Sequence, residues 1–144
     1  MYLVDTNVIS AGAPMKTAHP QLVRWMEVRS EALYLSVVTV AEIEAGIAKA
    51  RRDRATRKAV DLSAWLETLL HLYADRILIF DIAVAHIAGR LSDLARGQGR
   101  APGFADIVIA ATAAHRRFTV LTRNLRDFRP LGVPAVDPFA ALPR

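Results

Sequence analysis

The chain of 144 residues contains no cysteine. Disulfides, zinc–thiolate sites and thiol nucleophiles are excluded together, and the composition suits a reducing compartment, so a cytoplasmic location is expected. No apolar stretch reaches the roughly 18 residues of a membrane span, because Arg, Asp, Glu or His interrupts each candidate; no membrane association is expected. Residues 1–9 have no basic lead and carry Asp5 inside their apolar stretch, which does not read as a signal peptide. Lysine is scarce, confined to Lys16, Lys49 and Lys58, yet Lys and Arg number 19 against 14 acids, a net charge of +5. The positive charge is therefore mostly arginine. Its forked donors suit phosphate oxygens and point to an anionic polymer as partner class, although charge alone fits a merely basic soluble protein equally well. What is abundant is apolar. Hydrophobic residues make up 53% and charged ones 23%, which excludes a disordered tail and predicts one packed domain over 1–144.

Short apolar runs alternate with longer segments of helical period, the pattern of an α/β domain with a mainly parallel central sheet. Strands are expected at 2–4, 33–35, 77–80 and 119–121, with a short last one at 135–136. Helices are expected at 20–30, 39–54, 62–73, 82–96 and 104–115, the second and third forming a helical hairpin through 51–54. The apolar faces around Trp25, Trp65, Leu66, Leu69 and Leu70 exceed what one small core needs, so part of that surface is expected to meet a partner.

In an open parallel sheet, ligands bind outside the carboxyl ends of the strands. Asp5 closes the first strand, Asn124 and Asp127 follow the fourth, and Glu42 and Asp106 lie in the first turns of the expected second and fifth helices. Several carboxylates converging there raise one another's pKa, and a divalent cation resolves the conflict. Oxygen-only ligation selects magnesium or manganese over zinc. Carboxylates, a hard cation and nearby arginines describe phosphodiester hydrolysis. Each residue also has a plainer role. Asp5 fits a helix cap, as do Asp81 and Asp137; Thr39 and Glu42 fit a capping box; Asp106 complements a helix dipole; Asp127 fits a loop. Gly46, one turn beyond Glu42, costs helix stability and suggests close approach by something else.

Four blocks carry a resemblance. Asp5-Thr6-Asn7-Val8-Ile9-Ser10, Val38 to Ile47 around Glu42, Phe104 to Ala113 around Asp106, and Leu121 to Phe128 around Asn124 and Asp127 resemble, in order, the acidic blocks of PIN-domain nucleases. The similarity covers residues 1–138 and is greatest to VapC-type toxins of toxin–antitoxin pairs, particularly the FitB-like group. It implies a three-layer α/β/α fold and magnesium- or manganese-dependent cleavage within RNA. It also implies neutralisation by a small cognate antitoxin, with assembly as a homodimer or a toxin–antitoxin hetero-oligomer. Carried over by position, Asp5, Glu42 and Asp106 are the metal and catalytic acids, joined at the fourth block by Asn124 and Asp127. Thr6, Asn7 and Thr122 match supporting polar positions. Position 124 departs from the pattern, since many relatives carry Asp there. Arg116, Arg117, Arg123, Arg126 and Arg129 flank the last block and are the candidate phosphate contacts.

Two other classes compete. A phosphoryl-accepting receiver-like domain also gathers acids at strand ends, but needs a lysine near its last strands, and residues 119–130 contain none. A module that binds RNA or an antitoxin while cutting weakly or not at all remains the alternative, and Asn124 is the feature that favours it. Dinucleotide binding fits more poorly still, because no Gly-x-Gly-x-x-Gly follows the first strand.

Overall fold

A computed structural model describes residues 1–14 and 19–144. Tyr2–Val4 (β1), Leu33–Ser36 (β2), Ile77–Leu78 (β3), Thr119–Leu121 (β4) and Ala135–Val136 (β5) form one sheet ordered β3-β2-β1-β4-β5, with every neighbouring pair parallel. The strands are short and bury both faces, which is why they read as apolar runs rather than as apolar–polar alternation. The period of two decides which side each residue covers. Val4, Leu33, Leu35 and Leu121 enter one core with Tyr2 against it, while Leu3, Leu78 and Val120 enter the other.

The first core is roofed by Thr6–Ile9 (α1), Pro20–Val28 (α2), Val37–Arg52 (α3) and Thr56–Leu72 (α4), through Val8, Ile9, Leu22, Met26, Ile43, Ile47, Leu66 and Leu69. The second is roofed by Ile82–Gly97 (α5), Phe104–Arg116 (α6) and Leu125–Phe128 (α7), through Ala95, Ile109, Ala110, Ala113 and Phe128. Alanines at 88 and 111 let α5 and α6 pack closely in a separate small cluster with Val84 and Ile107. The result is the expected three-layer α/β/α arrangement, with α3 and α4 as the helical hairpin. Among the described residues, no helix is long and apolar enough to cross a membrane.

Three boundaries differ from expectation. The third strand stops at Leu78, and Ile79 and Phe80 turn out of the sheet with 63% and 39% of their surface exposed. The helix carrying Glu42 starts at Val37, capped by the Ser36 hydroxyl accepting from Val38 N at 3.2 Å. The capping box from Thr39 to Glu42 therefore does not form: Thr39 is inside the helix and fully buried, and Glu42 is released from that duty. The second arm of the hairpin begins at Thr56 rather than 62. Asp81 and Asp137 do serve as local acceptors, for Val84 N and Phe139 N respectively, each at 2.9 Å.

Candidate active site

β1 sits between β2 and β4, so the chain winds outward one way through β2 and β3, then returns to β1's other side. The carboxyl ends of β1 and β4 consequently border a crevice, the place where open α/β sheets bind ligands. Asp5 is the first residue beyond β1, held to β4 by its backbone N–H donating to Leu121 O at 2.9 Å. It caps α1 with Oδ1, which accepts from Thr6 N at 2.7 Å. Its Oδ2 accepts from Asn7 Nδ2 and from Thr122 Oγ1, each at 2.7 Å. Capping and site membership are thus one geometry. Thr122, just past β4 and fully buried, also accepts from Asn124 N at 2.9 Å, and Asn7 Oδ1 accepts from Arg123 N at 3.1 Å. The two strand ends are stitched together through side chains.

Glu42 comes from the first turns of α3 and meets this network through Thr6, whose hydroxyl donates to Oε1 at 2.7 Å and lies 3.1 Å from Thr39 Oγ1. Asp106 projects from the first turn of α6. Its carboxyl is pushed up to about 6, first by burial and then by the charges of Asp5, Asp127 and Glu42. Burial also raises the Asp5 carboxyl. Its hydrogen bonds from Thr122, Thr6 and Asn7 oppose that shift and Glu42 adds to it. The acids therefore act on one another across a shared space, a cleft of about 500 Å³ lined by Asp5, Thr6, Asn7, Glu42 and Asp106, with His19, Arg123 and Phe139 closing one side.

As the side chains stand, no three acidic or imidazole groups among the described residues are grouped tightly enough to hold an ion. Asp5 engages both oxygens with internal donors, and Glu42 engages Oε1 with Thr6. The donor chemistry nevertheless fits a hard divalent cation. It consists of carboxylate oxygens only, and a cation would relieve the mutual repulsion that lifts Asp106.

Asn124 and Asp127 lie to one side. Asn124 Nδ2 donates to Asp127 Oδ2, and Arg126 Nε is 3.8 Å from Asp127 Oδ1. Asp127 borders a neighbouring hollow with Arg100 and Arg126, and its charge still reaches Asp106. Among the arginines, Arg123 lines the acidic cleft, its guanidinium 4.4 Å above the Phe139 ring. Arg129 is exposed at the end of α7. Arg116 and Arg117 are not brought near: at about 1.5 Å per residue, ten residues of helix carry Arg116 roughly 15 Å from Asp106, to the edge where β4 begins. His19 and Phe139, which touch edge to face at 4.9 Å, were not legible as site residues, since no spacing rule links positions so far apart in the chain. Gly46 has no protein atom within 4 Å of where a Cβ would sit, so the close approach it suggested is not made by the described residues.

A PIN domain signature matches residues 2–132. The chain is 36% identical over 141 residues to toxin FitB of Neisseria gonorrhoeae, covering 96% of this chain and 99% of that protein. It is 32% identical over 142 residues to VapC ribonuclease Y4jK of Sinorhizobium fredii, covering 96% and 98%. In the crystal structure of FitAcB from Neisseria gonorrhoeae, a chain 37% identical superposes with a TM-score of 0.84, over 96% of this chain and 99% of that one.

Proposed function

The chain belongs to the PIN-domain family, and on that footing we propose that all of residues 1–144 act as one domain of a toxin that hydrolyses phosphodiester bonds within RNA. The observation that carries the reading is the convergence of Asp5, Glu42 and Asp106 on one cleft, where burial first and the neighbouring acids second push the Asp106 carboxyl up to about 6. These three residues would hold magnesium or manganese. When bound, such an ion supplies Lewis acidity toward the phosphodiester and neutralises the charge that builds during its hydrolysis. The chain's own residues do the positioning. Thr6 N, Asn7 and Thr122 fix the Asp5 carboxylate, and the Thr6 hydroxyl fixes Glu42. Arg123, resting over the Phe139 ring, offers forked donors to a phosphate. Asp127, steadied by Asn124, adds negative charge beside Asp106.

The relatives' names and complexes support a regulatory partner. An antitoxin segment would lie in the apolar groove of about 350 Å³ between α2 and α4, lined by Val23, Met26, Trp65, Leu69 and Tyr73. Ile9 lines that groove while its neighbours Ser10 and Ala11 line the acidic cleft. A basic side chain could therefore reach the acids from it, and apolar burial would combine with charge pairing. A cysteine-free toxin acting on RNA would work in the cytoplasm, as a homodimer or in a hetero-oligomer with its antitoxin.

The test is cleavage of structured and total RNA by the antitoxin-free protein. Cutting with manganese or magnesium, none in EDTA and none by Asp106→Asn is the expected result. Cutting that survives EDTA would overturn the metal-dependent reading. The alternative, a module that binds without cutting, rests on the neutral Asn124; RNA binding with no cleavage in manganese would establish it instead.

A further inference from the structure

The acidic cleft does not end at its carboxylates. Thr6, Ser10 and Glu42 are shared with a second hollow of about 330 Å³ that follows α3 past Gly46 to Lys49, with Lys58 and Trp65 of α4 opposite. On the other side, His19, Arg123 and Phe139 are shared with a third hollow of about 610 Å³ that runs beneath Pro138 to Leu142. The three form one trench, with the acids midway and cations on both arms.

Each arm is built for a polyanion. Lys49 pairs with Asp53 at 2.6 Å, but both side chains are at least half exposed, so exchange to a phosphate costs little. Gly46 leaves the floor between Glu42 and Lys49 open, since among the described residues nothing lies within 4 Å of where a methyl group at that position would sit. In the other arm, the Arg123 guanidinium lies over the Phe139 ring at 4.4 Å, and His19 meets that ring edge to face at 4.9 Å. A flat, exposed guanidinium takes a base on its face and a phosphate at its edge.

The geometry points to a track for single-stranded RNA that crosses the site lengthwise. Phosphates on one side of the cut rest on Lys49 and Lys58, and a nucleotide on the other side stacks on Arg123. This rests on the nuclease reading above and adds to it the path of the strand, which explains cutting within a chain rather than at its end. A basic antitoxin segment suits the trench less well, because Lys49 and Lys58 would repel it.

The probe is a twelve-nucleotide single-stranded RNA bound to the full-length protein in EDTA, followed by fluorescence anisotropy across a salt series. Lys49→Gln with Lys58→Gln is expected to weaken binding several-fold and to flatten the slope of log K against log salt by about 1.4, at about 0.7 per phosphate contact on a single strand. Arg123→Lys, which keeps the charge and loses the flat face, should weaken binding with the slope unchanged. Gly46→Trp, placed where the helix has open space, should block the arm while circular dichroism stays native. Unchanged affinity and slope in both the lysine pair and Gly46→Trp would overturn the track. So would loss of antitoxin binding with RNA binding intact in those variants, which would give the trench to the protein partner. Wild-type protein that cuts no RNA in manganese would instead sink the nuclease reading, a separate result read in a separate assay.

Discussion

Asp106 carries the residue-scale consequence of burying a carboxyl near three other acids. Its carboxyl ionises near 6 in the fold against 3.8 in a free chain, so between those values the unfolded state releases the proton first. Stability from this group is complete below about 4 and is lost as pH rises toward 6. In EDTA, the melting temperature of the wild type should therefore fall across that window more than that of Asp106→Asn, measured by thermal denaturation at matched ionic strength. Identical slopes would remove the shared charge from the account. Asn124 and Asp127 give a paired test. Because Asn124 Nδ2 donates to Asp127, Asn124→Asp would set two carboxylates against each other. It should lower the metal-free melting temperature and enlarge the rise on adding manganese, since an ion that binds only the fold stabilises it. If the metal-induced rise is no larger than in the wild type, position 124 lies outside the cation's reach.

Elements differ in how plainly the sequence announced them. β1, β2 and β4 are short apolar runs closed by Asp5, Ser36 and Thr122, so their ends coincide with polar residues that also have work in the site or as a cap. The third run failed that rule. Ile79 and Phe80 continue it in hydrophobicity but not in the sheet, and Phe80 instead meets Phe104 at 5.9 Å, a tertiary contact that local pattern does not encode. The first turn of α4, Thr56-Arg57-Lys58, is wholly polar and hid the helix start until Ala59 and Leu62 set the period. Asp5, Glu42 and Asp106 were legible because each sits at a strand end or helix start. His19 and Phe139 were not, because only the fold brings them together.

Helix ends and interiors also yield changes of known sign. Arg117 ends α6 in the left-handed region with φ 58°. Arg117→Gly should stabilise by about 1 kcal/mol, since a side chain there costs roughly 1–2 kcal/mol. Gly46→Ala fills open space in a helix and should add about 0.5–1 kcal/mol. Urea denaturation checks both, and a loss of stability at Gly46→Ala would mean that the position is more crowded than its surroundings indicate.

For the molecule as a whole, the groove proposed for an antitoxin and the acidic cleft meet at α1, where Ile9 lines the groove and Thr6 and Asn7 line the cleft. On the proposed toxin–antitoxin reading, co-expression with a small cognate antitoxin encoded beside this chain should restore growth and yield a stable complex. Leu72 lines the groove but not the trench and is exposed, so Leu72→Ala should weaken that rescue in a growth assay while leaving cleavage by the free protein detectable. Persistent toxicity with the wild-type pair abundantly expressed would dismiss the regulatory reading.

The hydrogen bond from Thr122 to Asp5 joins residues 117 apart, and β4 must slot in beside β1 before it can form. Asp106 arrives almost as late. While the polypeptide is being made on a ribosome, its first strand thus waits beside an empty lane, and Asp5 has only its local donors, Thr6 N and Asn7 Nδ2, to hold it. On the nuclease reading, the growing product would gain activity only after Thr119–Leu121 has emerged and paired with the first strand. Fragments ending before Thr119 should leave cell growth unaffected at expression levels where the full chain arrests it. A toxic fragment of that length would show that the site assembles without its last central strand.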